Sequence, residues 1–213
     1  MCQKEPSLLT LLTTFDNRLI CATLNLLRLG GMSLNIVLHE PEIPANTGNI
    51  GRTCVATNTV LHLIEPLGFK TDEKSLKRAG LDYWPKLDVR KYKNYRDFLK
   101  IFEADAHKFA ETPANKPHIW YATTKANRAY SDVCFGPDDY IMFGGESCGI
   151  PEEILVENEQ YCIRIPMIED NRSLNLSNSV AIILYEALRQ QGFSGLEQTG
   201  ALHRLTWHKT ENT

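Results

Sequence analysis

The sequence predicts an α/β fold in which a parallel sheet is covered by helices on both faces. Three observations predict it. Apolar runs of strand length alternate with helix-period segments from Met32 to Gly192, no internal repeat or Gly/Ser-rich linker interrupts them, and 213 residues suffice for one sizeable core.

The elements follow in chain order. Leu34 to Leu38 is a short β-rich run, after which Pro41 and Pro44 hold the chain extended or turning. Asn46-Thr47-Gly48-Asn49 offers N-cap chemistry for a helix over Ile50 to Thr57. Thr59 to Ile64, β-branched and apolar, predicts a second strand, closed by Pro66 and Gly68. A short helix is expected over Asp72 to Ala79, stopped by Gly80, and a short strand over Leu87 to Val89. Phe98, Leu99, Ile101, Phe102 and Phe109 give Tyr95 to Phe109 an amphipathic helical spacing. His118–Ala122, Tyr140–Phe143 and Cys162–Ile165 are further strand-length runs, and Asn175–Gln191 is the longest helix, ended by Gly192.

Composition narrows the function. Charged residues at 23 % and hydrophobic ones at 43 % exclude collagen-like, low-complexity and disordered classes. The net charge of −3 excludes a general nucleic-acid glue. Residues 70–100 nevertheless hold ten Lys/Arg against five acids, with Tyr83, Trp84, Tyr92 and Tyr95 interleaved. That window reads either as a surface for phosphate contacts and base stacking or as a solvated face with aromatic core anchors. The longest uninterrupted apolar stretch, Val180–Leu184, falls far short of the roughly 18 residues a membrane span needs. Six cysteines form no C-x-x-C pair and no zinc spacing, so reduced thiols in a cytoplasmic protein without a metal are expected. Residues 1–31 make a poor signal peptide; Met32 is read as a natural start preceded by an extension.

The chemistry is expected late in the chain. A dinucleotide fold would run from its first strand into G-x-G-x-x-G, but Gly48 and Gly51 have neither the third glycine nor the offset, and no Walker lysine is present. There is no G-x-S-x-G elbow either. Glycines cluster instead at Gly144-Gly145-Glu146-Ser147-Cys148-Gly149, directly after a strand, and polar residues crowd Asp170 to Asn178 at another junction. Open α/β sheets bind ligands at the carboxyl ends of their strands, which places a site there.

The joint order of these clusters carries a resemblance. Asn46-x5-Arg52, Phe143-Gly144-Gly145-Glu146-x2-Gly149-Ile150-Pro151 and Ile163-Arg164-Ile165-Pro166-Met167 with Ser173-Leu174-Asn175-Leu176-Ser177 resemble the three motifs of the SPOUT RNA 2′-O-methyltransferases. The opening Asn35–Ile50, Ile64-Glu65-Pro66-Leu67-Gly68-Phe69 and Arg78-Ala79-Gly80-Leu81-Asp82-Tyr83 are similar to the TrmL branch, the tRNA (cytidine/uridine-34)-2′-O-methyltransferases. Gly51 departs from the bulkier aliphatic residue familiar before the arginine, and Gly145-Glu146 from Pro-Glu.

The resemblance implies a C-terminal deep trefoil knot, a homodimer, S-adenosylmethionine as cofactor, and a tRNA anticodon stem-loop as substrate. It implies a catalytic domain over 32–195, with 1–31 and 196–213 outside it. Carried over by position, it implies cofactor contacts at Ala122, Gly144, Ile165 and Ser173, and a catalytic set of Arg52, Asn46, Glu146, Ser173 and Asn175. Arg52 would approach the cofactor pocket of the partner subunit, as a base or as a clamp on the substrate phosphate; a guanidinium gives up its proton only with difficulty. The rivals are the same chemistry at another tRNA or rRNA site, and a non-catalytic knotted RNA-binding module.

Overall fold

The computed structural model describes residues 33–69, 83–109, 116–169 and 172–207; the N-terminal extension and the helix expected over 72–79 lie outside the described residues. Six strands, β1 (Asn35–His39), β2 (Val60–Ile64), β3 (Val89–Tyr92), β4 (Ile119–Ala122), β5 (Tyr140–Gly144) and β6 (Cys162–Ile163), form one sheet in the order β3-β2-β1-β5-β4-β6. Every pairing is parallel.

Alternate residues of each strand feed two cores. On one face Ile36, Leu38, Leu61, Leu63, Ile141 and Phe143 pack with helix α1 (Pro44–Thr57) and helix α4 (Leu176–Gln190), through Ile50, Cys54, Val180, Ile183 and Leu184. On the other, Val37, Ile64, Tyr121 and Met142 meet Phe98 of helix α2 (Tyr95–Phe109) and Leu155 of helix α3 (Glu152–Glu157). With both faces covered, strands β1 and β2 are buried along their whole length, the pattern expected of a parallel sheet.

The second core contains an ordered polar group. His62 Nε2 lies 3.0 Å from Asn35 Oδ1, and Nδ1 lies 2.8 Å from the Tyr92 hydroxyl. The Asn35 amide nitrogen donates to the Ser33 and Asp138 carbonyls, so its oxygen accepts and the His62 proton sits on Nε2. Burial drives the His62 pKa down to about 3, so the ring is held neutral.

The expected boundaries shift in three places. Helix α1 begins at Pro44, six residues before the expected Ile50, because proline at the first helical position needs no hydrogen-bond acceptor and already has helical φ. Its N-cap, Ile43, makes no side-chain cap bond, so the polar Asn46–Asn49 run lies inside the helix, across its first and second turns, rather than at the cap. The strand expected over Leu87–Val89 is β3, displaced to Val89–Tyr92 behind a 3-10 turn at Trp84–Lys86. The strand expected over Cys162–Ile165 shortens to two residues, and α3 was not expected from the sequence.

Beyond β6 the chain is held from two sides. The Thr123 amide donates to the Ile163 carbonyl, the Tyr130 amide to that of Arg164, and the Arg164 amide to that of Arg128, each at 2.9 Å. Chain leaving β4 therefore turns around the end of β6 and grips it again at Arg128–Tyr130. Cys54, Cys148 and Cys162 are free thiols, whereas Cys134 is disulfide-bonded, which departs from the all-reduced reading.

Candidate active site

The direction of crossover reverses between β1 and β5: from β1 the chain steps to β2 and β3, and from β5 it passes over β4 to β6. The loops leaving these adjacent strands diverge there, the usual place for a ligand in an open α/β sheet. A cleft of about 600 Å³ opens at this end. Its walls are Ala122–Lys125 after β4, Phe143–Ile150 after β5, Ile163, Ile165 and Met167 after β6, and Arg172–Leu176 leading into α4.

The glycine-rich loop is shaped by close approach. A Cβ on Gly144 would lie 1.9 Å from the Gly149 carbonyl carbon and 2.1 Å from the Ile150 nitrogen. Gly145 faces the Glu40 carbonyl, which would lie 2.6 Å from an added Cβ, also too close for a side chain. The loop closes on itself through the Gly149 amide, which donates to the Gly145 carbonyl at 2.9 Å, and Gly149 takes a φ of +71°. Glu40 also adopts a positive φ, 52°, where the chain turns out of β1.

Two neighbouring side-chain clamps tie this loop to the β1–α1 turn. The Glu146 carboxylate accepts from the Glu42 amide at 2.8 Å, the Ile43 amide at 3.3 Å and Asn46 Nδ2 at 2.8 Å. Glu42 reciprocates: its carboxylate accepts from the Ser147 hydroxyl at 2.5 Å and amide at 3.0 Å, which holds its pKa below the usual carboxylate value. Asn46 Oδ1 then accepts from Asn175 Nδ2 at 3.0 Å, and Asn175 Oδ1 caps α4 by accepting from the Ser177 and Asn178 amides. One hydrogen-bonded chain thus runs from the β5 loop through the start of α1 to the start of α4.

The positions singled out in the sequence divide accordingly. Asn46, Glu146 and Asn175 are joined directly, and with Ala122, Gly144, Ile165 and Ser173 they line the cleft. Arg52 does not line it. It lies on α1, exposed, with its guanidinium carbon 5.0 Å from the centre of the Tyr83 ring. Sequence reasoning missed Glu42 and Ser147, which meet across 105 positions and carry no local signal for that contact. Two of the aromatics in the 70–100 window are core anchors rather than stacking platforms: Tyr92 bonds His62, and Tyr95 bonds Tyr121. Tyr83 and Trp84 pack beside Gly51.

These features define a class: α/β proteins that hold a small organic molecule at the carboxyl ends of a parallel sheet, beside its switch point. Residues 33–185 match the SpoU rRNA Methylase family, and the chain belongs to it. The tRNA (cytidine(34)-2′-O)-methyltransferase of Escherichia coli K12 is 49 % identical over 164 residues, which span 76 % of this chain and 96 % of that protein. A structure solved to explain 2-OH methylation of C/U34 on tRNA is 38 % identical with a TM-score of 0.65, covering 77 % of this chain and 99 % of that one. The AviRb methyltransferase of Streptomyces viridochromogenes, solved with AdoMet, shares the fold at 24 % identity and a TM-score of 0.64, over 79 % of this chain and 61 % of that one.

Among the described residues no group of His, Cys, Asp and Glu is arranged to hold a metal ion, and no helix is long and apolar enough to cross a membrane.

Proposed function

We propose that this chain transfers a methyl group from S-adenosylmethionine to the ribose 2′-hydroxyl of tRNA nucleotide 34, a cytidine or modified uridine, and that it does so as a homodimer in the cytoplasm. The hydrogen-bonded chain Glu146–Asn46–Asn175 carries the reading, because it joins the three motif segments into one wall of a cleft. The relatives' stated reaction at C34 supports the substrate.

The cleft suits this cofactor. Ile150, Ile163, Ile165 and Leu174 offer apolar walls for an adenosine, while Ser173 and the backbone of Ala122–Lys125 and Gly144–Gly149 offer polar groups for an amino-acid end. Bound there, the cofactor supplies an electrophilic methyl group on a sulfonium. Ala122, Gly144, Ile165 and Ser173 are the residues that would hold it.

A ribose hydroxyl is a weak nucleophile that gives up its proton, finally to solvent, as it is methylated; the protein's contribution is orientation and a sheltered cleft, and orientation alone is worth about 7 kcal/mol or more when complete. Glu146, Asn46 and Asn175 fix the relative placement of the β5 loop, α1 and α4. Arg52 does not line its own chain's cleft; in this reading it serves the partner's, where it clamps the phosphate beside the target ribose bidentately. The outward residues Ile182 and Tyr185, 37 % and 46 % exposed on α4 beside α1, support an interface on this face. The double grip on Ile163–Arg164 supports a knot in which the chain after Ile165 passes through the loop that follows β4. Residues 32–195 form the catalytic unit. Six of the ten basic residues in the 70–100 window are described and exposed; Arg90 and Lys100 pair with Asp88 and Asp97, and Lys86, Lys93 and Arg96 are the part assigned here to the RNA surface, while Lys70, Lys74, Lys77 and Arg78 lie outside the described residues.

Incubating the purified protein with S-adenosylmethionine and unmodified tRNA, followed by nucleotide mapping, tests the reading. A 2′-O-methyl group at nucleotide 34 is expected. Methylation at another tRNA site or only on rRNA assigns a sibling specificity, and binding without transfer assigns a non-catalytic RNA-binding protein.

A further inference from the structure

We infer that Tyr83 is a positioning residue for Arg52, presenting the guanidinium to the RNA from an aromatic shelf; the inference rests on the role proposed above for Arg52. Tyr83 meets α1 at two points one helical turn apart. Its hydroxyl donates to the Gly48 carbonyl, and its ring lies beneath the Arg52 guanidinium at 5.0 Å from the centroid. The hydroxyl contact fixes the ring against the helix, so the ring supplies a stationary face on which an otherwise exposed cation rests. A cation over an aromatic face is held electrostatically, yet the outward edge of the guanidinium keeps its donors for a phosphate.

Gly51 completes the arrangement. A Cβ there would lie 2.9 Å from Leu87 Cδ2, 3.3 Å from Trp84 Cζ3 and 3.5 Å from Tyr83 Cε2. The missing side chain leaves room for Leu87 and Trp84, which belong to the segment that carries Tyr83, while against the Tyr83 ring itself an added carbon would make only ordinary contact. Arginine carries many rotamers, and reducing them before the substrate arrives lowers the cost of ordering it in the complex.

The inference is tested on the full-length protein with Tyr83→Met, which fills space without a π face, and Tyr83→Phe, which keeps the face and loses the hydroxyl. Turnover on tRNA is expected to fall about tenfold in Tyr83→Met, with S-adenosylmethionine affinity by calorimetry unchanged. Tyr83→Phe, which keeps the face but not the hydroxyl that fixes it, is expected to lose about threefold, less than Tyr83→Met. Combined with Arg52→Ala, Tyr83→Met is expected to cause no further loss of tRNA affinity. NMR provides a readout independent of activity: the Arg52 side-chain protons are shifted upfield by the ring in wild type and Tyr83→Phe, and return to ordinary positions in Tyr83→Met.

Wild-type turnover in Tyr83→Met alongside a dead Arg52→Ala overturns the inference and leaves the reading of Arg52 standing. An equal proportional loss of tRNA affinity in the Arg52→Ala background, or no ring shift in wild type, also overturns it. Wild-type turnover in Arg52→Ala overturns the underlying reading, and the inference with it.

Discussion

Asn46 and Glu146, a hundred residues apart in the chain, are joined by a 2.8 Å hydrogen bond in which the amide of one helix's first turn donates to the carboxylate of a glycine loop. The same carboxylate takes two backbone amides of the β1–α1 turn, and the same asparagine takes the amide of Asn175. The loop after β5, the start of α1 and the start of α4 are therefore tied together by side-chain hydrogen bonds. Glu146, which the resemblance places in the catalytic set, is the joint between these segments.

Replacing Glu146 by alanine leaves the Glu42 and Ile43 amides and Asn46 Nδ2 without their acceptor, so a loss of about 1–3 kcal/mol in stability is expected. Turnover should fall further than stability, by about a hundredfold, because the site loses its orientation as well. Urea unfolding and single-turnover methylation measure the two effects separately.

Gly144→Ala should abolish cofactor binding. The added carbon would sit 1.9 Å from backbone, not from a flexible side-chain tip, so the loop cannot close around it. Calorimetric titration with S-adenosylmethionine gives no heat in this variant, while Gly200→Ala, where an added carbon meets open space, titrates like wild type.

His62 sets an acid limit on stability. Its folded pKa, about 3, lies below the unfolded value of 6.5, so the neutral ring's contribution is complete above pH 6.5 and is lost as pH falls toward 3. Between pH 7 and pH 5 the group alone removes about 2 kcal/mol. Denaturant titrations at both pH values show this drop in wild type, and a smaller one in His62→Gln, which does not titrate.

Neutralising Lys86, Lys93 and Arg96 together should weaken tRNA binding and reduce the slope of log affinity against log salt by about one for each phosphate that is no longer neutralised. S-adenosylmethionine binding is unaffected. An unchanged slope would move the RNA surface off this edge of the sheet.

Much of this was legible in the sequence. Helix α2 has its expected bounds, because its apolar residues repeat cleanly at helical spacing and nothing at its ends competes. The glycine loop and the Ser173–Asn175 stretch were placed at the cleft by their position after strands. What escaped was long-range. Proline at 44 reads locally as an extended residue, and only the packed helix reveals it as the first helical position. Glu42 carries no local mark of its bonds to Ser147, and Gly51 looks like a mere departure until Trp84 and Leu87 are seen in its place. Tyr92 and Tyr95 sit among lysines and arginines, yet their hydroxyls find buried partners on neighbouring strands.

In the proposed assembly the site is shared between two subunits, one giving the Gly144 cleft and the other Arg52. Co-expressing an Arg52→Ala chain with a Gly144→Ala chain under two affinity tags, isolating the heterodimer and measuring methylation at nucleotide 34 tests this directly. The heterodimer is expected to methylate tRNA through its one intact site, whereas either variant homodimer is expected to be inactive. A heterodimer as inactive as both homodimers would contradict the shared site.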